Sequence, residues 1–101
     1  MNKMYGMLGL AQKAGKIAAG TYLVKQAFLY ETACLLIIAA DTSERTASEF
    51  SALAQKANVS VITYGDKARL GKAIGKPPKN LLTVNDIRFA EAILKIYGED
   101  A

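Results

Sequence analysis

Cys34-Leu35-Leu36-Ile37-Ile38-Ala39 is an unbroken apolar stretch, short and partly β-branched. A half-buried strand would alternate apolar with polar residues and a helix would need more length, so this run reads as a central strand covered on both faces. Downstream, Asp41-Thr42-Ser43 offers side chains able to cap a helix, and Phe50, Leu53, Ala54 and Ala57 then recur at helical spacing up to Asn58. Val59-Ser60-Val61-Ile62-Thr63-Tyr64 reads as a second strand, and Gly65-Asp66 turns into a short helix, Lys67 to Ala73, capped by Asp66 and closed by Gly75. Pro77-Pro78 excludes regular structure. Leu81-Leu82-Thr83-Val84 gives a last strand, and Asn85 or Asp86 starts a final helix with Phe89, Ala90, Ile93, Leu94 and Tyr97 inward.

Upstream, Met4, Met7, Leu8 and Ala11 place one apolar stripe on a first helix that stops near Gly15. Ile17-Ala18-Ala19 is a short extended segment. Thr21 is the expected N-cap of a second helix that turns Leu23, Val24, Ala27 and Phe28 to one side. Alternating strands and helices predict an α/β fold, a three-layer α-β-α sandwich around a four-stranded mixed sheet, with residues 1–101 as a single domain. In such sheets ligands gather at the loops after the carboxyl ends of strands, which here include Ala40-Asp41 and Gly65-Asp66.

The chemistry available is narrow. The chain has no histidine, which removes the usual general base, the commonest metal ligand and the partner of a serine or cysteine nucleophile. Its single cysteine, Cys34, lies inside the apolar run, so neither a disulfide framework nor a thiolate metal cluster can be built. Two glycine–lysine pairs invite comparison with a phosphate loop, but both miss the required spacing. Five residues separate Gly9 from Gly15 with Ile17 after Lys16, and three separate Gly71 from Gly75 with Pro77 after Lys76. The expectation is a non-catalytic protein with no metal and no cofactor. The apolar run of residues 33–40 is too short for a membrane span of roughly 18 residues, and no signal-peptide block follows the first residues, so the expected location is cytoplasmic.

The net charge of +4 is unevenly distributed. Residues 1–30 carry Lys3, Lys13, Lys16 and Lys25 with no acid, and residues 67–79 carry Lys67, Arg69, Lys72, Lys76 and Lys79 with no acid. The remainder is net negative, with residues 31–66 at −3 and residues 80–101 at −2. Brought together by the fold, the two basic segments would form one positive face suited to a polyanion. Gly20-Thr21 at a helix start would add free backbone N–H groups and the positive end of a helix dipole.

Order and spacing carry a resemblance. Leu8-Gly9-Leu10-Ala11-Gln12-Lys13-Ala14-Gly15-Lys16, Gly20-Thr21-Tyr22-Leu23-Val24-Lys25-Gln26, Leu35-Leu36-Ile37-Ile38-Ala39-Ala40-Asp41, Asn58-Val59-Ser60-Val61 and Leu70-Gly71-Lys72-Ala73-Ile74-Gly75 together resemble the ribosomal protein L7Ae family over about residues 4–97. The resemblance implies the same sandwich, recognition of kink-turn RNA (an internal bend flanked by sheared G·A pairs) and association with ribosomal RNA. By position it matches Gly20 and Thr21 to the turn that opens the RNA-contacting helix, Lys72 to a basic position, and Lys76, Pro77, Pro78 and Lys79 to the loop over the extruded base. Tyr22 and Leu23 stand where kink-turn binders commonly carry asparagine and glutamate. Gln26 stands where they carry lysine, with Lys25 one position earlier.

Lysines neutralise phosphates while a few base contacts and shape give selectivity. The expected face therefore comprises Lys16, Gly20, Thr21, Tyr22, Lys25, Gln26, Lys72, Lys76, Pro77, Pro78 and Lys79, gripping structured RNA as a monomer. Gln26 can hydrogen-bond a base edge and Tyr22 can stack on an unpaired base. The alternative is a protein-interaction module on the same fold, using Tyr22 and Leu23 as an apolar contact.

Overall fold

A computed structural model describes residues 2–100, with side chains described through Glu99. The elements run α1 (Lys3–Lys13), β1 (Ile17–Ala19), α2 (Thr21–Leu29), β2 (Leu35–Ile38), α3 (Glu44–Lys56), β3 (Ser60–Thr63), α4 (Lys67–Ala73), β4 (Leu81–Val84) and α5 (Ile87–Asp100). The sheet order is β1-β4-β2-β3, with β2 and β3 parallel and β4 antiparallel to both β1 and β2. It is the mixed four-stranded sheet the apolar pattern predicts.

All four residues of β2 are buried because alternation sends them into two cores. Leu35 and Ile37 join Met4 and Leu8 of α1, Leu70 of α4 and Ile93 of α5. Leu36 and Ile38 join Val24 of α2 with Phe50 and Ala54 of α3. Three helices therefore cover one face and two cover the other. Each fully buried leucine or isoleucine contributes about 1.5–3 kcal/mol of transfer free energy, which is why a strand of four residues suffices as the centre. No helix among the described residues is long and apolar enough to cross a membrane.

The caps explain where the helices begin. Asn2 accepts from the Tyr5 N–H, Ser43 from Thr46 and Asp66 from Arg69, each side chain satisfying a donor that the helix leaves unpaired. Asp86 accepts from the N–H groups of Arg88 and Phe89 at 2.8 and 3.4 Å. The hydrogen bond from the Arg88 backbone, with further help from that side chain and Phe89, holds the Asp86 carboxyl below its ordinary range. At α2 the expectation is corrected: the N-cap is Gly20, and Thr21 is the first helical residue. Gly20 has φ 89° and ψ 164°. Only glycine holds that conformation readily, and this backbone requirement outweighs threonine's capping preference.

One polar group in the sheet lacks compensation. Thr83 is fully buried in β4, and its hydroxyl has no hydrogen-bond partner among the described residues. Replacing it by a methyl of the same shape removes a desolvation cost and keeps the packing. Thr83→Val is expected to raise stability by about 1 kcal/mol in chemical denaturation; a loss would show that the hydroxyl is satisfied. Asp86 supplies a pH signature. A carboxyl lowered in the folded state stabilises above its unfolded value and loses that contribution as pH falls through the folded value. Thermal midpoints of wild type and Asp86→Ala should therefore differ at neutral pH and converge well below about pH 4. A constant gap across that range would contradict the cap.

Candidate functional site

β1, β2 and β3 point the same way, so the segments that follow them emerge at one edge of the sheet, where the chain also enters β4. Gly20-Thr21 follows β1, Ala40-Asp41 follows β2, Gly65-Asp66 follows β3, and Lys79-Asn80 precedes β4. Backbone hydrogen bonds stitch this edge together. The Gly20 N–H donates to the Leu81 carbonyl at 2.9 Å, Ala39 to Asn80 at 2.9 Å, Ala40 to Gly65 at 2.8 Å and Lys79 to Lys67 at 3.0 Å. The Thr42 hydroxyl adds a bond to the Asn80 carbonyl at 3.2 Å.

The loop of residues 74–80 is fixed against α4. Lys76 donates to the Gly71 carbonyl at 2.9 Å, and a β-carbon at Gly71 would collide with the Pro77 and Lys76 carbonyls. Glycine at position 71 is thus required by a close backbone approach, which holds Lys76, Pro77 and Pro78 exposed above the helix. At the far end of the loop, Lys79 lies beside α2: a methyl placed on Gly20 would come within 3.8 Å of its Nζ.

Three helix starts follow strands at this edge, and they differ in electrostatics: α3 is capped by Ser43 and carries Glu44 in its first turn. The first turn of α4 is already occupied by carboxylates, Asp66 on the Arg69 N–H and Asp41 on the Lys67 N–H at 2.8 and 2.9 Å. The N-cap of α2 is a glycine with no side-chain hydrogen bond, and its first turn carries no acid. Its leading N–H groups are open among the described residues, with the Lys79 ammonium alongside. An anion at such a helix start gains about 0.3–1 kcal/mol from the dipole, and a neighbouring lysine adds to it.

The fold brings together part of the expected face. Gly20, Thr21, Tyr22 and Lys79 share the edge, Gln26 lies one turn along α2 on the side of Tyr22, and Lys76, Pro77 and Pro78 lie on the loop that leads from the end of α4 back to that edge. Other residues lie elsewhere. Lys16 is at the opposite edge, where its carbonyl accepts from Asn85 at 2.8 Å, because β1 runs from residue 17 away from it. Lys25 turns toward α3 and pairs with Glu49 at 3.4 Å. Lys72 lines a groove between α4 and α1 with Tyr5 and Arg69. Lys67, from the basic segment 67–79, also reaches this edge, as do Asn80 and Thr42, which charge and resemblance do not point to. The rule that ligands gather at the carboxyl ends of parallel strands was the signal that reaches them.

Residues 2–93 match the sequence profile of the ribosomal protein L7Ae/L30e/S12e/Gadd45 family. This chain belongs to that family. It is 30% identical over 95 residues to the RNA-binding protein YlxQ of Bacillus subtilis, covering 91% of this chain and 92% of that protein. Among solved structures, this L7Ae-family chain is similar to a protein with unknown function from Bacillus halodurans, at a TM-score of 0.92 and 24% identity over 97% of this chain and 99% of that one. It is also similar to the Giardia lamblia 15.5kD RNA binding protein, at a TM-score of 0.80 and 18% identity over 95% and 82% of the two chains. At these identities the two structures speak for the fold, and the sandwich is the L7Ae-family sandwich.

The conformation at Gly20 yields a direct test. Gly20→Ala is expected to cost about 1–3 kcal/mol of stability, because alanine must adopt a backbone region almost confined to glycine. Since a methyl there meets only ordinary van der Waals contacts at 3.8 Å, the loss arises from strain. An unchanged denaturation midpoint would contradict it.

Proposed function

We propose that this chain binds structured RNA, without catalysing a reaction, through the sheet edge where α2 begins. The observation that carries this reading is the open α2 N-terminus, flanked by Lys79 while the neighbouring α4 terminus is filled by Asp41 and Asp66. A phosphate fits the first and is repelled from the second, so the edge has a preferred docking point for a polyanion. Family membership and a relative named as an RNA-binding protein support the same partner.

At this edge the helix N–H groups that follow Gly20, beginning with Thr21, and the side chains of Lys76 and Lys79 hold phosphates. Lys67, one backbone hydrogen bond from Lys79, adds charge. Tyr22 is 72% exposed and stacks on an unpaired base, while Gln26 on the same side of α2 hydrogen-bonds a base edge. Pro77 and Pro78 form a rigid apolar cover for a base turned out of its stack. These parts suit a sharply bent RNA better than a straight duplex, because a bend presents an extruded base and two converging backbones together. We therefore assign kink-turn RNA as the preferred ligand and ribosomal RNA as its source, bound by one copy of the chain in the cytoplasm.

A second reading has its own support. Tyr22, Leu23, Leu29 and Tyr30 are all at least half exposed along α2, an apolar surface that a protein partner could cover. Affinity for a kink-turn RNA and for an unkinked duplex of equal length, each across a salt series, separates the two. The expected result is about tenfold or greater preference for the kink-turn, a difference of about 1.4 kcal/mol. Lys79→Ala should weaken both complexes and lower the salt slope by about one, whereas Gln26→Ala should reduce the preference itself. Equal, salt-sensitive binding would leave a non-specific basic edge, and absence of binding would favour the protein partner.

A further inference from the structure

Beyond the sheet edge, α1 and α4 enclose a groove of about 710 Å³ lined by Asn2, Tyr5, Gly6, Arg69, Lys72 and Ala73. One wall is aromatic and held in place. Tyr5 packs edge-to-face on Tyr64 with ring centroids 5.4 Å apart, and Tyr64 packs on Tyr97 at 6.4 Å. The Asn2 amide donates to the Tyr64 hydroxyl at 2.7 Å. Behind this wall the Tyr5 hydroxyl rests against Gly65, where a β-carbon would collide with it.

The α4 rim of the groove is cationic. Arg69 and Lys72, three residues apart on α4, are both exposed. Arg69 shares its charge with Asp66 at 3.7 Å, and Lys72 makes no ion pair among the described residues.

Gly6 is unexplained by the fold alone. It sits inside α1, where glycine is unfavourable relative to alanine. Its backbone is not left-handed, and a β-carbon there would meet nothing within 4 Å among the described residues. Neither conformation nor internal packing calls for glycine. The space a side chain would take belongs to the groove.

A flat ring wall, bare helix backbone beside it and two cations on the rim match a base and its phosphate. We propose that this groove takes one nucleotide of a single-stranded segment flanking the structured RNA, with its base against Tyr5 over Gly6 and its phosphate between Arg69 and Lys72. The inference rests on the RNA reading above and extends it. Continuity comes through α4, whose Lys67 carbonyl holds Lys79 at the RNA edge while Arg69 and Lys72 face the groove. A strand leaving that edge needs only to cross one short helix.

The test compares a kink-turn RNA with and without a single-stranded extension of about five nucleotides, placed at either end. With the extension, wild type is expected to bind about tenfold more tightly, the scale of one stacked base with its phosphate contact. Gly6→Leu fills the groove with a good helix former. It should keep or raise the thermal midpoint, bind the unextended RNA as wild type does and lose the gain. Arg69→Gln, which leaves the groove's shape intact, should lose part of the gain and flatten its salt dependence. An extension that adds nothing to a tight wild-type complex overturns the groove proposal and leaves the RNA reading standing, as does a gain that survives Gly6→Leu and Arg69→Gln. Failure of wild type to bind either RNA overturns both.

Discussion

The hydrogen bond from the Gly20 N–H to the Leu81 carbonyl, 2.9 Å long, ties the start of α2 to the entrance of β4. It forms because Gly20 turns through φ 89°, which lets the chain leave β1 and enter a helix without a side-chain cap. The same bond sets Lys79 beside that helix start. A side chain at position 20 able to cap the helix would strain the backbone and occupy the donors that an anion needs. The open N-terminus and the lysine beside it are thus two results of a single backbone constraint.

That constraint works only on a rigid support, and β2 supplies it. Leu35 and Ile37 on one face, Leu36 and Ile38 on the other, lock both helical layers to the sheet. Because β1, β2 and β3 run in one sense, their ends deliver Gly20, Ala40 and Gly65 to one edge, where Asn80 takes hydrogen bonds from Ala39 and Thr42. Asp41 matters for a different reason. By accepting from the Lys67 N–H it fills the first turn of α4, as Ser43 and Glu44 do that of α3, and α2 is the start at this edge with neither a side-chain cap nor an acid among the described residues. The helix starts at this edge are distinguished as much by where carboxylates sit as by where lysines do.

Most of the architecture is legible in the amino-acid order because it depends on local periodicity. The apolar run at residues 34–39 and the stripes of α1, α3 and α5 each identify an element without reference to the others. The site is less legible, since charge is written in the sequence and direction is not. Lys16 and Lys25 lie within ten residues of Gly20, yet one sits at the far edge of the sheet and the other pairs with Glu49 on α3. Thr21 has the right residue type for a cap, but the conformation of its neighbour decides the matter. The groove beside Gly6 was invisible for the same reason: Tyr5, Tyr64 and Tyr97 meet only after α1, β3 and α5 have packed.

On the proposed function, one sheet edge, organised by Gly20, receives the RNA. Amide chemical-shift mapping during titration with a structured RNA tests it most directly, because it reports each backbone N–H separately. The largest shifts are expected at Gly20, Thr21, Tyr22, Lys67, Lys79 and Asn80. Shifts concentrated at Lys13, Lys16 and residues 85–88, on the opposite edge, would contradict it.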